Sequence, residues 1–212
     1  MGENSGMINT VIFDLGGVLL NLQSQDQIRK WLKRLRVDEN DPIAHTLLYP
    51  SESKIFWDLM RGKLSERQFW LETAKAWRIP NFLVAHGLRQ ISAPKNMNQP
   101  LVNYLTNLRG KFKLGILSNA GDATRAAVLK NNRFDGLVDV MVISAEEGFA
   151  KPDREIYEIT LRKLGSEPQE CVFVDDLQEN IQAARALGMT GLQHIENEST
   201  IRQLNAVLFG KN

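Results

Sequence analysis

The chain has 212 residues, 43% hydrophobic and 24% charged, with 26 Lys and Arg against 25 Asp and Glu and a net charge of +1. Such fractions fit a globular protein with one large domain or two small ones and exclude disordered and fibrous classes. The near-zero balance argues against a nucleic-acid partner, and no run reaches the ~18 apolar residues of a membrane span.

In chain order, the polar N-terminus Met1 to Gly6 lacks the apolar core of a signal peptide. With one cysteine, Cys171, the expectation is a cytoplasmic protein with no disulfide and no membrane partner. The first buried-strand pattern is Thr10–Phe13, which ends at Asp14 and runs into Leu15-Gly16-Gly17. A carboxylate at the carboxyl end of a central parallel strand faces the crevice where such folds bind ligands. Glycines there let a ligand approach the backbone. Alone, the same residues read as a simple turn.

From about Leu20 to Ile91 the pattern becomes helical, with expected helices at Gln25–Leu35, Ser53–Met60, Glu66–Trp77 and Phe82–Ile91. Ser65 and Gln68 form a capping-box pattern at the third of these. All four tryptophans, Trp31, Trp57, Trp70 and Trp77, fall in this stretch with Phe56, Phe69 and Phe82. They form either the core of a small bundle or, for one or two of them, the lining of a substrate pocket beneath a lid. Arg29, Lys30, Lys33, Arg34 and Arg36 make a basic cluster, either a solvated face or a device steering anionic substrates. Pro80, Pro94 and Pro100 punctuate the exit.

Beyond them strands and helices alternate. Strand patterns at Phe112–Leu117, Val138–Ile143, Cys171–Val174 and Gly191–Ile195 are separated by helical patterns at Ala123–Asn131, Arg154–Leu164 and Asn180–Leu187, the last stopped by Gly188. Continuous apolar runs suit strands covered on both faces, and the alternation predicts an α/β fold, a Rossmann-like doubly wound parallel sheet. Residues 1–19 and 94–212 would form that core, and 20–93 a helical bundle inserted after the first strand.

Three further elements stand at strand ends. Ser118 and Asn119 follow the second strand, where a hydroxyl and amides can hold a phosphate oxygen or cap a helix. Lys151, fixed by Pro152 ahead of a helix, is either a solvated loop lysine, the reading favoured in isolation, or a positioned counter-charge for an anion. Asp175 and Asp176 are adjacent carboxylates that repel unless a cation or hydrogen bonds compensate, and oxygen donors of this kind suit Mg²⁺. His45, His86 and His194 have no metal-ligand spacing, and Cys171 opens a buried strand as core.

In combination these residues resemble the motifs of the haloacid dehalogenase-like hydrolase superfamily, most of whose members are Mg²⁺-dependent phosphatases. Val11 to Leu19 is similar to the first motif, Leu117-Ser118-Asn119 to the second and Lys151-Pro152 to the third. Phe173-Val174-Asp175-Asp176 with Asn180 is similar to the fourth. The insert resembles the superfamily's helical cap. The resemblance implies Asp14 as nucleophile, forming an aspartyl-phosphate that water hydrolyses. It implies Mg²⁺ held by Asp14, the Gly16 backbone carbonyl and Asp176, with Asp175 acting through a water. It implies phosphate binding by Ser118, Asn119 and Lys151, with Lys151 also offsetting charge in catalysis. The substrate would be a small phosphorylated metabolite, with a sugar phosphate as one candidate.

One position departs from that pattern. Most of the superfamily's phosphatases carry a second aspartate two residues after the nucleophile, as general acid and base, and here that residue is Gly16. Such help is worth about 10²–10⁴-fold. The expectation is a slow enzyme, or one selective for good leaving groups. A catalytically degenerate binder of a phosphorylated ligand or partner is the alternative, and a 2-haloacid dehalogenase ranks below both because its chemistry leaves Asp175-Asp176 unexplained. No pattern specifies an oligomeric state. The bland net charge also divides unevenly: residues 20–93 carry 12 basic and 8 acidic side chains, the remainder 14 and 17.

Overall fold

The computed structural model describes residues 7–21, 24–80, 82–83, 97–130, 134 and 136–210. Five strands, β1 (Thr10–Phe13), β2 (Lys113–Ser118), β3 (Val140–Ile143), β4 (Cys171–Asp175) and β5 (Thr190–Gln193), form one sheet in the order β3-β2-β1-β4-β5. Every pairing is parallel, and β1 lies at the centre with Phe13 level with Ile116 and Val174. All four β1 side chains are buried, as are all five of β4. A strand buried on both faces needs apolar residues at consecutive positions, which is why these runs do not alternate.

Successive side chains point to opposite faces, and two cores result. Val11 and Phe13 join Ile116 and Val174 in one cluster, beneath α5 (Gln99–Leu108), α6 (Thr124–Lys130) and α10 (Asn197–Phe209). Ile12, Leu117 and Phe173 join the other, against α8 (Arg154–Leu164) and α9 (Gln178–Ala186). Tyr157 of α8 meets Phe173 edge-on with ring centroids 5.6 Å apart. Helices therefore cover both faces of the sheet, and the α/β, Rossmann-like doubly wound expectation matches. The expected strands differ from those observed by two residues at most at each end, and α8 covers the expected Arg154–Leu164.

Between β1 and α5 run four described helices, α1 (Gln25–Leu35), α2 (Pro42–Leu48), α3 (Lys54–Met60) and α4 (Glu66–Ala76). The capping box at Ser65 and Gln68 is formed. Most of the expected Phe82–Ile91 helix lies outside the described residues. The sequence reading missed α2, although Asp41-Pro42 is its start signal: the Asp41 side chain accepts from the Ile43 and Ala44 amides, and Pro42 opens the helix. It also missed α5, α7 (Ser144–Glu147) and α10. Trp31 and Trp77 pack together, ring centroids 5.7 Å apart, in a cluster with Leu32, Ala44 and Leu48. Among the described residues no helix is long and apolar enough to cross a membrane.

The helices between β1 and α5 meet the segment after β3 through close contacts. Gly62, at φ +66°, lies so close to Ala145 that an added Cβ would stand 2.2 Å from its carbonyl oxygen. Arg61 donates from Nε and Nη2 to the two carboxylate oxygens of Asp153, each at 3.0 Å, on the loop that carries Lys151.

Candidate active site

The central position of β1 between β2 and β4 brings three strand ends together. Asp14 leaves β1 with its backbone N–H donating to Val174 O at 2.8 Å. Its Oδ1 accepts from the Leu15 N–H at 2.7 Å and lies 2.8 Å from Lys151 Nζ. Among the described residues no hydrogen bond engages Oδ2. One carboxylate oxygen is thus held in place while the other keeps its acceptor capacity among the described residues.

Lys151 is 1% exposed and donates to Asp175 Oδ2 at 2.6 Å and to Leu117 O at 3.1 Å, besides its contact with Asp14. Those three acceptors account for all three ammonium hydrogens. Asn119 sets the lysine's backbone: its Nδ2 donates to Lys151 O and its Oδ1 accepts from Lys151 N, both at 2.8 Å. The Asn119 carbonyl oxygen and one of its two amide hydrogens are thus taken by Lys151, and the second amide hydrogen has no described partner. Ser118 is 4% exposed at the end of β2 and lines, with Gly16 and Asn119, a cavity above the sheet.

Asp175 is fully buried, and its carboxylate is engaged on both sides. Oδ1 accepts from the Leu177 N–H at 2.8 Å and Asn180 Nδ2 at 2.9 Å, while Oδ2 accepts from Lys151. Asn180, in the resemblance but without a role assigned to it, therefore orients Asp175. Its signal was its place in the first turn of α9, close after the acidic pair. Asp176 is the more open carboxylate, and its Oδ2 stands where a Gly17 Cβ would come within 2.3 Å. Gly17, at φ +78°, is thus held to glycine by both conformation and space.

Carboxylate oxygens of Asp14, Asp175 and Asp176 all lie within 4.8 Å of one another. Burial pushes the Asp14 carboxyl up to about 7; Lys151 pulls it down, and Asp175 pushes it further up. Burial would lower the Lys151 ammonium, but Asp14 and Asp175 outweigh it and hold its pKa above the usual lysine value. The shifts pull oppositely on the proton between Asp14 and Lys151. The short contacts of Lys151 to two carboxylates favour the charged ammonium, and the strain of surplus negative charge falls on Asp14. The Asp176 carboxyl is likewise raised, by burial and then by Asp175. One ammonium facing three carboxylates leaves excess negative charge, which a divalent cation would neutralise.

The remaining expectations divide. Trp70, Phe56 and Phe69 line the cavity, whereas Trp31 and Trp77 are bundle core. None of the basic cluster on α1 lines it, and Arg29 instead donates to Glu39 and to the Tyr49 hydroxyl. Burial pushes the Cys171 thiol up to about 12, in keeping with a core role.

Comparison with known proteins agrees with this geometry. The chain is 27% identical over 198 residues to a sesquiterpene phosphatase of Aspergillus oryzae, covering 93% of this chain and 95% of that one. It superposes with a TM-score of 0.79 and 25% identity on a predicted HAD-like family hydrolase from Porphyromonas gingivalis, over 97% of this chain and 100% of that one. It also superposes on a HAD family enzyme of Bacteroides thetaiotaomicron in complex with magnesium and inorganic phosphate, with a TM-score of 0.70, 20% identity, and coverage of 89% and 94%. The model of the haloacid dehalogenase-like hydrolases matches residues 8–188, a span that holds every residue of the buried lysine–carboxylate centre, and the chain belongs to that family.

Proposed function

We propose that this hydrolase is a Mg²⁺-dependent phosphomonoesterase that works through an aspartyl-phosphate on Asp14. The observation that carries the reading is the placement of Asp14: one oxygen is fixed by Leu15 and Lys151, and the residues that follow it, Leu15 and Gly16, line a cavity together with Ser118. The fit of a cation rests on the three clustered carboxylates and their single ammonium. Asp14, Asp176 and the Gly16 carbonyl would hold Mg²⁺, and Asp175, saturated by Lys151 and Asn180, would act only through a water. When bound, the cation supplies positive charge beside the transferring phosphoryl group.

The chain's own residues supply the rest. Asp14 Oδ2 forms a bond to phosphorus as the ester P–O bond breaks and the leaving alkoxide departs. Ser118 and the backbone amides after β2 hold the phosphoryl oxygens, and Lys151 keeps Asp14 aligned while offsetting charge that accumulates around it. Water then attacks phosphorus, releasing inorganic phosphate and restoring the Asp14 carboxylate. Gly16 offers no side chain to protonate the leaving group, so its proton comes from solvent. In this reading residues 20–93 act as a cap over a core of 1–19 and 94–212, and the sesquiterpene phosphatase supports phosphate-ester chemistry by its similarity over nearly its whole length.

Asp14→Asn retains size and hydrogen bonding but removes the nucleophile. Assayed with and without Mg²⁺ on a panel of phosphomonoesters, the wild-type chain should turn over only with the cation, and the variant should lose at least about 10³-fold. Wild-type ligand binding without any turnover would favour the degenerate binder instead.

A further inference from the structure

The cavity that Gly16 and Ser118 enter has a volume of about 400 Å³, within the roughly 300–1,000 Å³ typical of small-molecule sites. Its wall on the insert side is Phe56, Leu59, Met60, Phe69 and Trp70. Opposite them stand Leu15 and Leu20 after β1, and Ala123 and Val128 of the β2–α6 region. The polar side chains among the lining residues away from the strand ends are few and mostly engaged. Thr46 donates its hydroxyl to Pro42 O at 2.9 Å and shares a second hydrogen bond with Ser53. The Glu66 carboxylate accepts from the Ala123 backbone N–H. Among the described residues, the Trp70 indole N–H, Thr124 and the exposed rim residue Asn21 remain.

A polyol or sugar in this space would lose water from several hydroxyls and find few described partners to replace it, a penalty of the kind that lets polar sites reject poorly matched ligands. A hydrocarbon would lose nothing comparable and would gain from leaving water. We propose that the cavity selects phosphomonoesters of apolar alcohols, the hydrocarbon chain lying between α3–α4 and the β2–α6 segment with its phosphoryl group at Asp14 and Ser118. The inference rests on the phosphatase reading for its chemistry and on the wall alone for its selectivity. The sugar phosphate named as a candidate from sequence is not what this wall selects.

The test pairs binding with turnover. Calorimetric titration with the alkylphosphonate series from methyl to octyl, in the presence of Mg²⁺, should show affinity rising about fourfold per methylene until the cavity is filled. Turnover of octyl phosphate should exceed that of glycerol phosphate by ~100-fold or more in kcat/KM. Trp70→Gln should flatten the chain-length dependence while Trp70→Phe retains it, with thermal unfolding of both showing that they fold. Equal kcat/KM for octyl phosphate and glycerol phosphate, or preference for the polyol ester, overturns the inference and leaves the phosphatase reading standing. Chain-length-graded binding without turnover of any ester supports the apolar selectivity and overturns the phosphatase reading.

Discussion

At the residue scale, Lys151 shows how little of a site's geometry a motif discloses. Its type and neighbourhood were readable, but its three acceptors come from β1, β2 and β4, which no spacing rule joins. Lys151→Met would leave Asp14 and Asp175 buried without a counter-charge, and removing one partner of a buried ion pair costs about 3–5 kcal/mol. In that variant the folded Asp14 carboxyl, already raised by burial, loses the ammonium that pulls it down and binds its proton more tightly than in the unfolded chain, so stability falls as pH rises through the acid range. Urea unfolding should therefore show the deficit against wild type largest near neutral pH and shrinking toward pH 4. Gly16 offers a second test. Gly17, not Gly16, takes the left-handed φ, so a side chain at 16 meets no such backbone strain. Gly16→Asp should raise kcat for alkyl phosphates relative to p-nitrophenyl phosphate by about tenfold or more, because only the poor leaving group needs a proton. An unchanged ratio would remove the missing acid as the limiting factor.

At the element scale, the strands were legible because burial on both faces demands uninterrupted apolar runs, and β1 and α8 stand where the pattern put them. Helix α2 was missed although its Asp-Pro start was in view, while α3 and α6, equally short, stand where apolar spacing put them. The docking of the insert was not legible at all: Gly62 against Ala145 and Arg61 against Asp153 join residues about 80 to 90 positions apart. Two glycines separate conformational strain from that close approach. Gly62 and Gly110 both have left-handed φ, +66° and +75°, but a Cβ at 110 would meet nothing within 4 Å. Gly110→Ala should therefore lose only the backbone term, about 1 kcal/mol, whereas Gly62→Ala should lose about 2 kcal/mol or more. Thermal unfolding resolves the difference, since 1 kcal/mol moves Tm by roughly 2–4 °C at this chain size. Equal losses would mean that the insert gives way at this contact.

For the whole molecule, the balance of +1 concealed a concentration of buried acid where three strands end. Folding forces Asp14, Asp175 and Asp176 together against their repulsion, so a ligand that relieves it should stabilise the native state by mass action. Mg²⁺ at about 100 times its Kd should add about 2.7 kcal/mol and raise Tm accordingly. Asp176→Asn should abolish that rise, while Asp153→Asn, outside the carboxylate cluster, should keep it. A cation-independent Tm in the wild-type chain would count against the metal site.

By itself the sequence determined the sheet, its coverage on both faces, and the family whose motifs end the strands, because these follow from local burial patterns and from residues fixed in chain order. The tertiary structure decided which side chains are already engaged. It gave Asn119 to the Lys151 backbone and Asn180 to Asp175, and it divided the aromatics between bundle core and cavity wall. Periodicity identifies an apolar face but not what that face meets. The cavity wall is assembled from the loop after β1, the helices α2, α3 and α4 and the segment after β2, so its character emerges only where they converge.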